Sequence, residues 1–539
     1  LCSAKDFHLP KSEQPYKYLD IEGRICVDLL LIARRDLKCT NYKLSTVASM
    51  FVQQEKDPLT AQDIFSSYRA FLEKDPVAPR LLGEVGQYCV QDTWLVKELF
   101  IALDVWNNIT EMARVCNVTP QSLYIRGQQN KVFAQLVRFC HDTHILVETP
   151  PTQMEQSSLK FKGAQVKEPV PGMYEYVVPF DFASLYPTTM IAYNIDYSSF
   201  VDMRKIRSDG SVEYLSEWDP KNRHTLSDND CYCIEWLQWI EDPETEEKMS
   251  STFICRFWKQ EQGVLPCIVQ SCLEARRTTR ATMKQLDPAS PTWAVLQRRQ
   301  LAYKVAANSM YGILGMSQGR LPCIPAAMSI TAMGRNNLNR ASDYLEQHYQ
   351  LEVLYQDTDS CYIIFPSLIP DDIPTLWKRC EDMEEEMWNA NVFPRPIRLE
   401  FEQAIYAKFI ILTKKRYLWC ELLRDGTVSD EVKSKGVLLV RRDNFRLARV
   451  VYRDIVTRIF AGDSLEQLLN QLHQALLDCA SHTHTVEQYT ASISVHEESN
   501  YKNPNSMAQV HLARKLRARG IRVDSGQRMD YVVCLTVNT

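Results

Sequence analysis

Val353-Leu354-Tyr355-Gln356-Asp357-Thr358-Asp359-Ser360-Cys361-Tyr362-Ile363-Ile364-Phe365 sets two carboxylates, two residues apart, between two apolar β-forming runs. The pattern predicts strand, tight turn, strand, with Asp357 and Asp359 at the tip of a hairpin. A third acid stands upstream in Phe180-Asp181-Phe182-Ala183-Ser184-Leu185-Tyr186-Pro187, where the run Tyr176-Val177-Val178 feeds a strand that ends on Asp181. Three hard oxygen ligands on adjacent strands suit Mg²⁺ bound together with substrate phosphates, the arrangement for in-line phosphoryl transfer with two metals. A lone Asp-x-Asp is usually a solvated turn, so its surroundings must decide.

The strongest of those surroundings is a helical hairpin. Leu265-Pro266 opens one helix, and no breaker follows until Asp287-Pro288-Ala289-Ser290-Pro291. A second helix is predicted from about Trp293 to Tyr311, stopping at Gly312 as C-cap. Arg276 and Arg280 are i,i+4 on the first; Lys304, Asn308 and Tyr311 are i, i+4 and i+7 on the second, so each set shares a face. Two antiparallel helices that turn cationic stripes toward a carboxylate site make a clamp for a triphosphate. Arg277, Lys284, Arg298 and Arg299 read as solvated basic faces.

Composition is compatible with this and does not supply it. The 539 residues exceed one core and suggest three or four domains; 45% are hydrophobic and 24% charged, with no repeat, low-complexity tract or transmembrane run. The 17 cysteines include no Cys-x-x-Cys pair. They read as reduced, mostly buried thiols of an intracellular protein. Net charge is −5, unevenly divided: residues 404–539 hold 20 Lys+Arg against 14 Asp+Glu, which places phosphate neutralisation in the C-terminal region.

At this point the residues resemble the family B DNA polymerases. Asp181 to Pro187 matches their motif A, Lys304 to Gly312 (Lys-Val-Ala-Ala-Asn-Ser-Met-Tyr-Gly) their motif B, and Tyr355 to Ser360 their motif C, in the family's order and approximate spacing. The resemblance implies an α+β, multidomain right-hand polymerase of palm, fingers and thumb, preceded by part of an RNase H-like 3′→5′ exonuclease domain. The implied divisions are 1–128 partial exonuclease, 129–179 connection, 180–262 first part of the palm with an insertion, 263–312 fingers, 313–420 second part of the palm and 421–539 thumb. It further implies dNTP addition to a primer 3′-hydroxyl on primer–template DNA, with two Mg²⁺ ions for which Mn²⁺ can substitute and no protein general base. Asp181 and Asp359 are the implied direct metal ligands, and Asp357 a second carboxylate that binds through water or to one metal.

Further site residues follow from the same resemblance. Backbone N–H groups of Ala183, Ser184 and Leu185 face the β- and γ-phosphates, and Arg276, Arg280, Lys304 and Asn308 fall on triphosphate-contacting positions. Arg280 departs in type where Lys is frequent. Tyr186 falls on the sugar gate that collides with a 2′-hydroxyl, and Tyr311 lies under the nascent pair. Lys162 and Gly163, in Phe161-Lys162-Gly163-Ala164, match a template-backbone motif. Lys414, Lys415 and Tyr417 match a Lys-Lys-x-Tyr motif that tracks the minor groove, read here as a strand delivering its cations. Lys435-Gly436 to Arg441-Arg442-Asp443 also resembles the family, and Arg514, Arg517 and Arg519 are thumb phosphate contacts. Gln356 is a departure, since Gly is usual there, and it bears on the fit near the primer end.

Toward the N-terminus, Gly23-Arg24-Ile25-Cys26-Val27-Asp28-Leu29-Leu30 reads as a strand and Leu44, Val47, Ala48 and Phe51 as a helix face. Tyr88 and Asp92, one turn apart on a predicted helix, match the third exonuclease motif; the first two motifs are not found, so an ordinary helix pair and an active-site pair both stay open. The chain starts at Leu1 and stops at Thr539, which is expected to leave the exonuclease domain and thumb incomplete. The run Asp181 to Thr189 with Ala192-Tyr193-Asn194-Ile195-Asp196 is most similar to polymerases of large eukaryotic DNA viruses. A processivity factor or sliding clamp is the further partner this implies, with no membrane and a nuclear or cytoplasmic replication site. A non-catalytic DNA-binding scaffold of the same fold and an RNA-templated enzyme are the alternatives. The intact acids argue against the first, and Tyr186 and the Asp-Thr-Asp hairpin against the second.

Overall fold

The computed structural model describes residues 2–7, 16–37, 39, 41–54, 57–147, 162–207, 209–217, 225–241, 248–316, 322–365, 373–437, 439, 444–481, 483–521, 523, 525, 526 and 528–532. Phe161, Arg441, Arg442, Asp443 and Arg522, all singled out in the sequence, lie outside them. The predicted α+β class holds: a central antiparallel sheet carries the acidic motifs, and helices cover it.

The sheet is built around the long strand Gly172–Phe182. In spatial order its path runs Lys433–Lys435, Arg416–Leu422, Ile405–Thr413, Gly172–Phe182, Ser360–Ile364 and Glu352–Asp357, with Leu399–Phe401 also pairing to the long strand. Val178, Phe180 and Phe182 point into a core with Leu338, Ala341 and Leu345 of the helix Ile324–His348 and with Trp377, Cys380 and Met383 of the helix Ile373–Asn389. The opposite side is aromatic. Tyr355, Tyr362, Tyr406, Phe409 and Tyr417 pack together there, and the Tyr362 and Tyr417 hydroxyls share a hydrogen bond of 2.8 Å.

The insertion expected after motif A is a separate four-stranded antiparallel sheet, in the order Val212–Glu217, Phe200–Ile206, Lys248–Trp258, Cys231–Glu241. Arg256, only 1% exposed, is held there by Asp202 and Asp228. A buried guanidinium is tolerable only with its donors matched this fully.

The helical hairpin consists of Val264–Met283 and Pro291–Leu314. Ser290 caps the second helix by accepting the Trp293 N–H at 3.2 Å, with Pro291 in its first turn. That helix passes through Gly312 and ends at Gly315, two to three residues beyond the expected stop. Burial of Leu314 in the core offsets the roughly 1 kcal/mol that an interior glycine costs. Asn194 fixes where the hairpin begins: its amide donates to the carbonyls of Trp258 and Glu261 at 2.7 Å each, and its oxygen accepts the Gly263 N–H at 2.7 Å. Asp196 alongside accepts the Val264 N–H at 2.9 Å.

Two further expectations differ from the structure. Residues 24–28 are not a strand; Asp28 accepts the Leu30 N–H at 2.8 Å and caps the helix Leu29–Asp36, so a local cap outweighs the β-propensity of Ile25-Cys26-Val27. Arg298 and Arg299 are not a solvated face. They pair with Asp104 and Glu111 at 2.8 and 2.5 Å and tie the second hairpin helix to the helix Val105–Cys116. The helices Leu44–Phe51 and Ala78–Ala102 form as predicted. Residues 129–179, expected as a connection, contain most of the helix Gln128–Asp142 and the first part of the long strand. No helix among the described residues is long and apolar enough to cross a membrane.

Replacing Asn194 by Ala removes three hydrogen bonds from a buried position and leaves their partners unmatched. It is expected to lower unfolding stability by about 2–4 kcal/mol, read as a reduced denaturant midpoint.

Candidate active site

Strand register gathers the acids. Asp181 sits opposite Ser360 on one side and Glu400 on the other, while Asp357 sits opposite Ser360 across the hairpin. Ser360 donates its hydroxyl to Asp181 Oδ1 at 2.6 Å. At the tip Thr358 takes φ 65°, Asp359 N–H reaches Asp357 O at 2.7 Å, and Phe182 N–H reaches Asp359 O at 2.9 Å. These bonds lock the turn to the strand end that carries Asp181.

Electrostatically the acids fall into two groups. Asp357 is buried and already matched: Lys415 Nζ lies 2.5 Å from Oδ1, Lys435 Nζ 3.9 Å from Oδ2, and the Thr358 hydroxyl donates at 3.0 Å. Asp181 and Asp359 make no ion pair among the described residues. Burial pushes Asp181 up to about 7, with Asp359 and Glu402 adding to the rise and Ser360 and Lys435 opposing it. Burial also raises Asp359, with Asp357 adding. Two desolvated carboxylates held above their ordinary range are hard donors short of positive charge, which suits a divalent cation. Among the described residues no three Asp, Glu, His or Cys side chains group closely enough to hold a metal alone. The set fits an ion that keeps water and substrate oxygens as most of its ligands.

Glu400 and Glu402 were missed in the sequence. They alternate with the core residues Leu399 and Phe401, the period-2 signal of a strand with an acidic face. Burial raises both, and their fields connect the site to the hairpin: Arg276 and Arg280 act on Glu400, Lys304 on Glu402. Arg276, Arg280 and Lys304 therefore lie within electrostatic range of the acidic end of the sheet. Arg276 Nε also donates to Gln300 Oε1 at 3.2 Å, linking the two helices. Arg277 and Lys284, read as solvated, line one open groove with Arg276 and Arg280. Asn308 is exposed, and Tyr311 meets Tyr186 with ring centroids 4.6 Å apart.

A model of DNA polymerase family B matches residues 118–539. The chain belongs to DNA polymerase family B. It is 42% identical to a DNA polymerase of Invertebrate iridescent virus 3 over 83% of this chain and 42% of that protein. It is 32% identical to the DNA polymerase of Red sea bream iridovirus, over 96% and 60%. The DNA polymerase delta catalytic subunit of Candida albicans is 30% identical over 96% and 46%. The chain thus spans about half the length of the curated relatives it matches, and the viral relatives are of the large DNA virus type. In fold it is similar to the family B DNA polymerase of Pyrobaculum calidifontis, with TM-score 0.57 and 23% identity over 97% of this chain and 59% of that one.

Within this family B chain several motif residues have different surroundings from those expected. The Ala183 N–H is taken by Arg398 O at 3.0 Å, so it does not face the phosphate site; Ser184 and Leu185 stand at the start of the helix Leu185–Ala192, where first-turn N–H groups point outward. Lys414 and Lys415 lie in the turn between Ile405–Thr413 and Arg416–Leu422, not on a strand. Lys414 pairs with Glu168 at 2.5 Å and Lys415 with Asp357. Tyr417 is 2% exposed inside the aromatic core, which leaves its ring no surface for DNA. Gly436, at φ 69°, has Lys415 O where a Cβ would stand, at 2.0 Å from it, and this close approach brings Lys435 beside Asp357. Arg514 is held bidentately by Glu498, and Arg517 donates to Val523 O at 2.9 Å.

Lys162 and Gly163 are exposed, and their carbonyls both accept from Arg335 Nη1 at 2.8 Å. Tyr88 and Asp92 lie on the helix Ala78–Ala102, apart from the central sheet. Gln356 has a structural explanation. It is 2% exposed, and its amide donates to Leu338 O of the helix Ile324–His348 at 3.1 Å. Glycine there has no such link.

Gln356→Gly removes that bond and adds chain entropy in the unfolded state. It is expected to cost about 1.5–2.5 kcal/mol, seen as a lower thermal midpoint, with Gln356→Asn too short to restore the bond.

Proposed function

We propose that this chain is the polymerase core of a DNA-directed DNA polymerase that adds dNTPs to a primer 3′-hydroxyl during replication of a large DNA virus genome. The reading rests on one observation: Asp181 and Asp359 share the end of a sheet that lies within electrostatic range of Arg276, Arg280 and Lys304 on two helices. Family members act with divalent metal ions. Here Asp181 and Asp359 would hold two Mg²⁺, or Mn²⁺ in their place, and such ions when bound neutralise the attacking and leaving oxygens of an in-line displacement. The central sheet is the palm and, because its edge strand is Lys433–Lys435, the palm runs past the expected boundary at 420; the helical hairpin is the fingers and the residues after Lys435 the thumb, with part of an exonuclease domain at the N-terminus.

The chain's own groups divide the remaining work. Lys304, Arg276 and Arg280 neutralise the triphosphate, and Asn308 donates to it from the same face as Lys304. Outward N–H groups at Ser184 and Leu185 add to that cradle. Tyr186 is half-buried against Tyr311, placed to exclude a 2′-hydroxyl as the sugar gate, while Tyr311 would support the new pair. Lys415 holds Asp357 in place beside the primer end. Lys162, Gly163, Lys414 and Arg514 then meet duplex phosphates, Lys414 and Arg514 by exchanging their carboxylate partners for DNA. Partners are primer–template DNA, dNTPs and a processivity factor.

Primer extension with dNTPs or rNTPs on DNA and RNA templates tests the reading. Extension confined to dNTPs on DNA supports it; none at all favours the scaffold, and extension on RNA the RNA-templated enzyme. Asp181→Ala and Asp359→Ala are each expected to reduce extension by at least about 10²- to 10³-fold while duplex binding persists, since the cationic DNA contacts remain. Tyr186→Ala is expected to raise rNTP use relative to dNTP by about 10²-fold or more in single-nucleotide kcat/KM, and an unmoved ratio would make Tyr186 a core aromatic only.

A further inference from the structure

Gly334 lies in the interior of the helix Ile324–His348, with ordinary helical backbone that any residue could adopt. Glycine in such a place costs about 0.5–1 kcal/mol relative to Ala, so its use there calls for a steric reason. The reason is Tyr186. A Cβ at position 334 would stand 3.0 Å from Cε1 and 3.7 Å from Cδ1 of that ring, and 3.6 Å from Leu185 Cδ2. On another side the ring meets Tyr311. Gly334 is buried and Tyr186 only partly so, which means the ring rests on bare helix backbone and its open side faces away from the helix.

The helix cannot retreat at this turn. Arg335, the next residue, is 9% exposed and donates to the carbonyls of Lys162 and Gly163. Four residues after Gly334, Leu338 O is bonded to Gln356 of the acidic hairpin. With its support held on both flanks, a larger residue at 334 moves the ring outward by a few tenths of an ångström.

We propose that Gly334 is a specificity-determining positioning residue, whose missing side chain sets how deeply Tyr186 sits and so how strictly the nucleotide pocket rejects a 2′-hydroxyl. The inference rests on the reading of Tyr186 as the sugar-excluding ring. It identifies the ribose face of a nucleoside triphosphate as the group that residue 334 controls without touching.

The test is a double-mutant cycle on the full chain with Gly334→Ala, Tyr186→Ala and the pair, scored as single-nucleotide kcat/KM for matched dNTP and rNTP. Gly334→Ala is expected to raise the dNTP KM several-fold and to tighten rejection of rNTP by about tenfold, the low end of the effect of one methylene in a pocket. In the Tyr186→Ala background the same substitution is expected to change neither. If Tyr186→Ala shifts the ratio and Gly334→Ala does not, or if Gly334→Ala acts equally in both backgrounds, the proposal is overturned and the sugar-gate reading stands. If Tyr186→Ala shifts nothing, both fall. Should Gly334→Ala unfold the protein, thermal midpoints complete the cycle: stability regained in the pair supports the contact, and no regain overturns it.

Discussion

The antiparallel register that sets Asp181 beside Ser360 and Glu400 is the constraint on which the rest of the structure turns. A slip of one residue would send Asp181 to the opposite face of the sheet and separate it from the hairpin acids. Holding the register true concentrates Asp181, Asp357, Asp359, Glu400 and Glu402 at one end of the sheet, where burial raises Asp181, Asp359, Glu400 and Glu402 and a neighbouring carboxylate, Glu384 in the case of Glu400, adds to the rise. Such a cluster is stable only beside positive charge. Lys415 and Lys435 supply it on one side and the hairpin cations on another, while Asp181 and Asp359 make no ion pair among the described residues. The same imbalance is the kind that marks functional sites, where charge is left uncompensated at a cost in stability.

The helix Ile324–His348 ties this arrangement to Tyr186. Within about one and a half turns it bares Gly334 to Tyr186, bonds Lys162 and Gly163 through Arg335, accepts Gln356 at Leu338 O, and places Asn339 Oδ1 2.7 Å from Gln165 Nε2. Gln165 and Lys167 in turn bond the backbone of Thr358 and Gln356. The Lys162-Gly163 segment, the Tyr186 ring and the Asp357–Asp359 turn thus share one support. A shift in any of them is resisted by the other two.

The opposite side of the sheet works differently. Tyr355, Tyr362, Tyr406, Phe409, Tyr417 and Trp419 form a stacked aromatic layer, and Tyr355 Oη accepts the Lys415 N–H at 2.9 Å. That layer holds the Lys414-Lys415 turn at the height of Asp357. Tyr417 contributes to the site by supporting its lysine neighbour from within the core.

The α+β class, the acidic hairpin, the strand ending on Asp181 and the two cationic helix faces could be read from the sequence, because each depends on periodicity and turn chemistry over a few residues. Motif order then named the family. Local signals also misled where a stronger local bond competed, as when the Asp28 cap replaced the expected strand, and where burial extended a helix past Gly312. What only the tertiary structure decided are the relations between distant segments: Lys415 on Asp357, Arg299 on Glu111, Ala183 N–H on Arg398, Tyr417 in the core, and Gly334 beneath Tyr186. A sequence states what charge or ring a residue offers, but its partner depends on which surfaces packing brings within about 3 Å, and that is set by the register of strands and helices far apart along the chain.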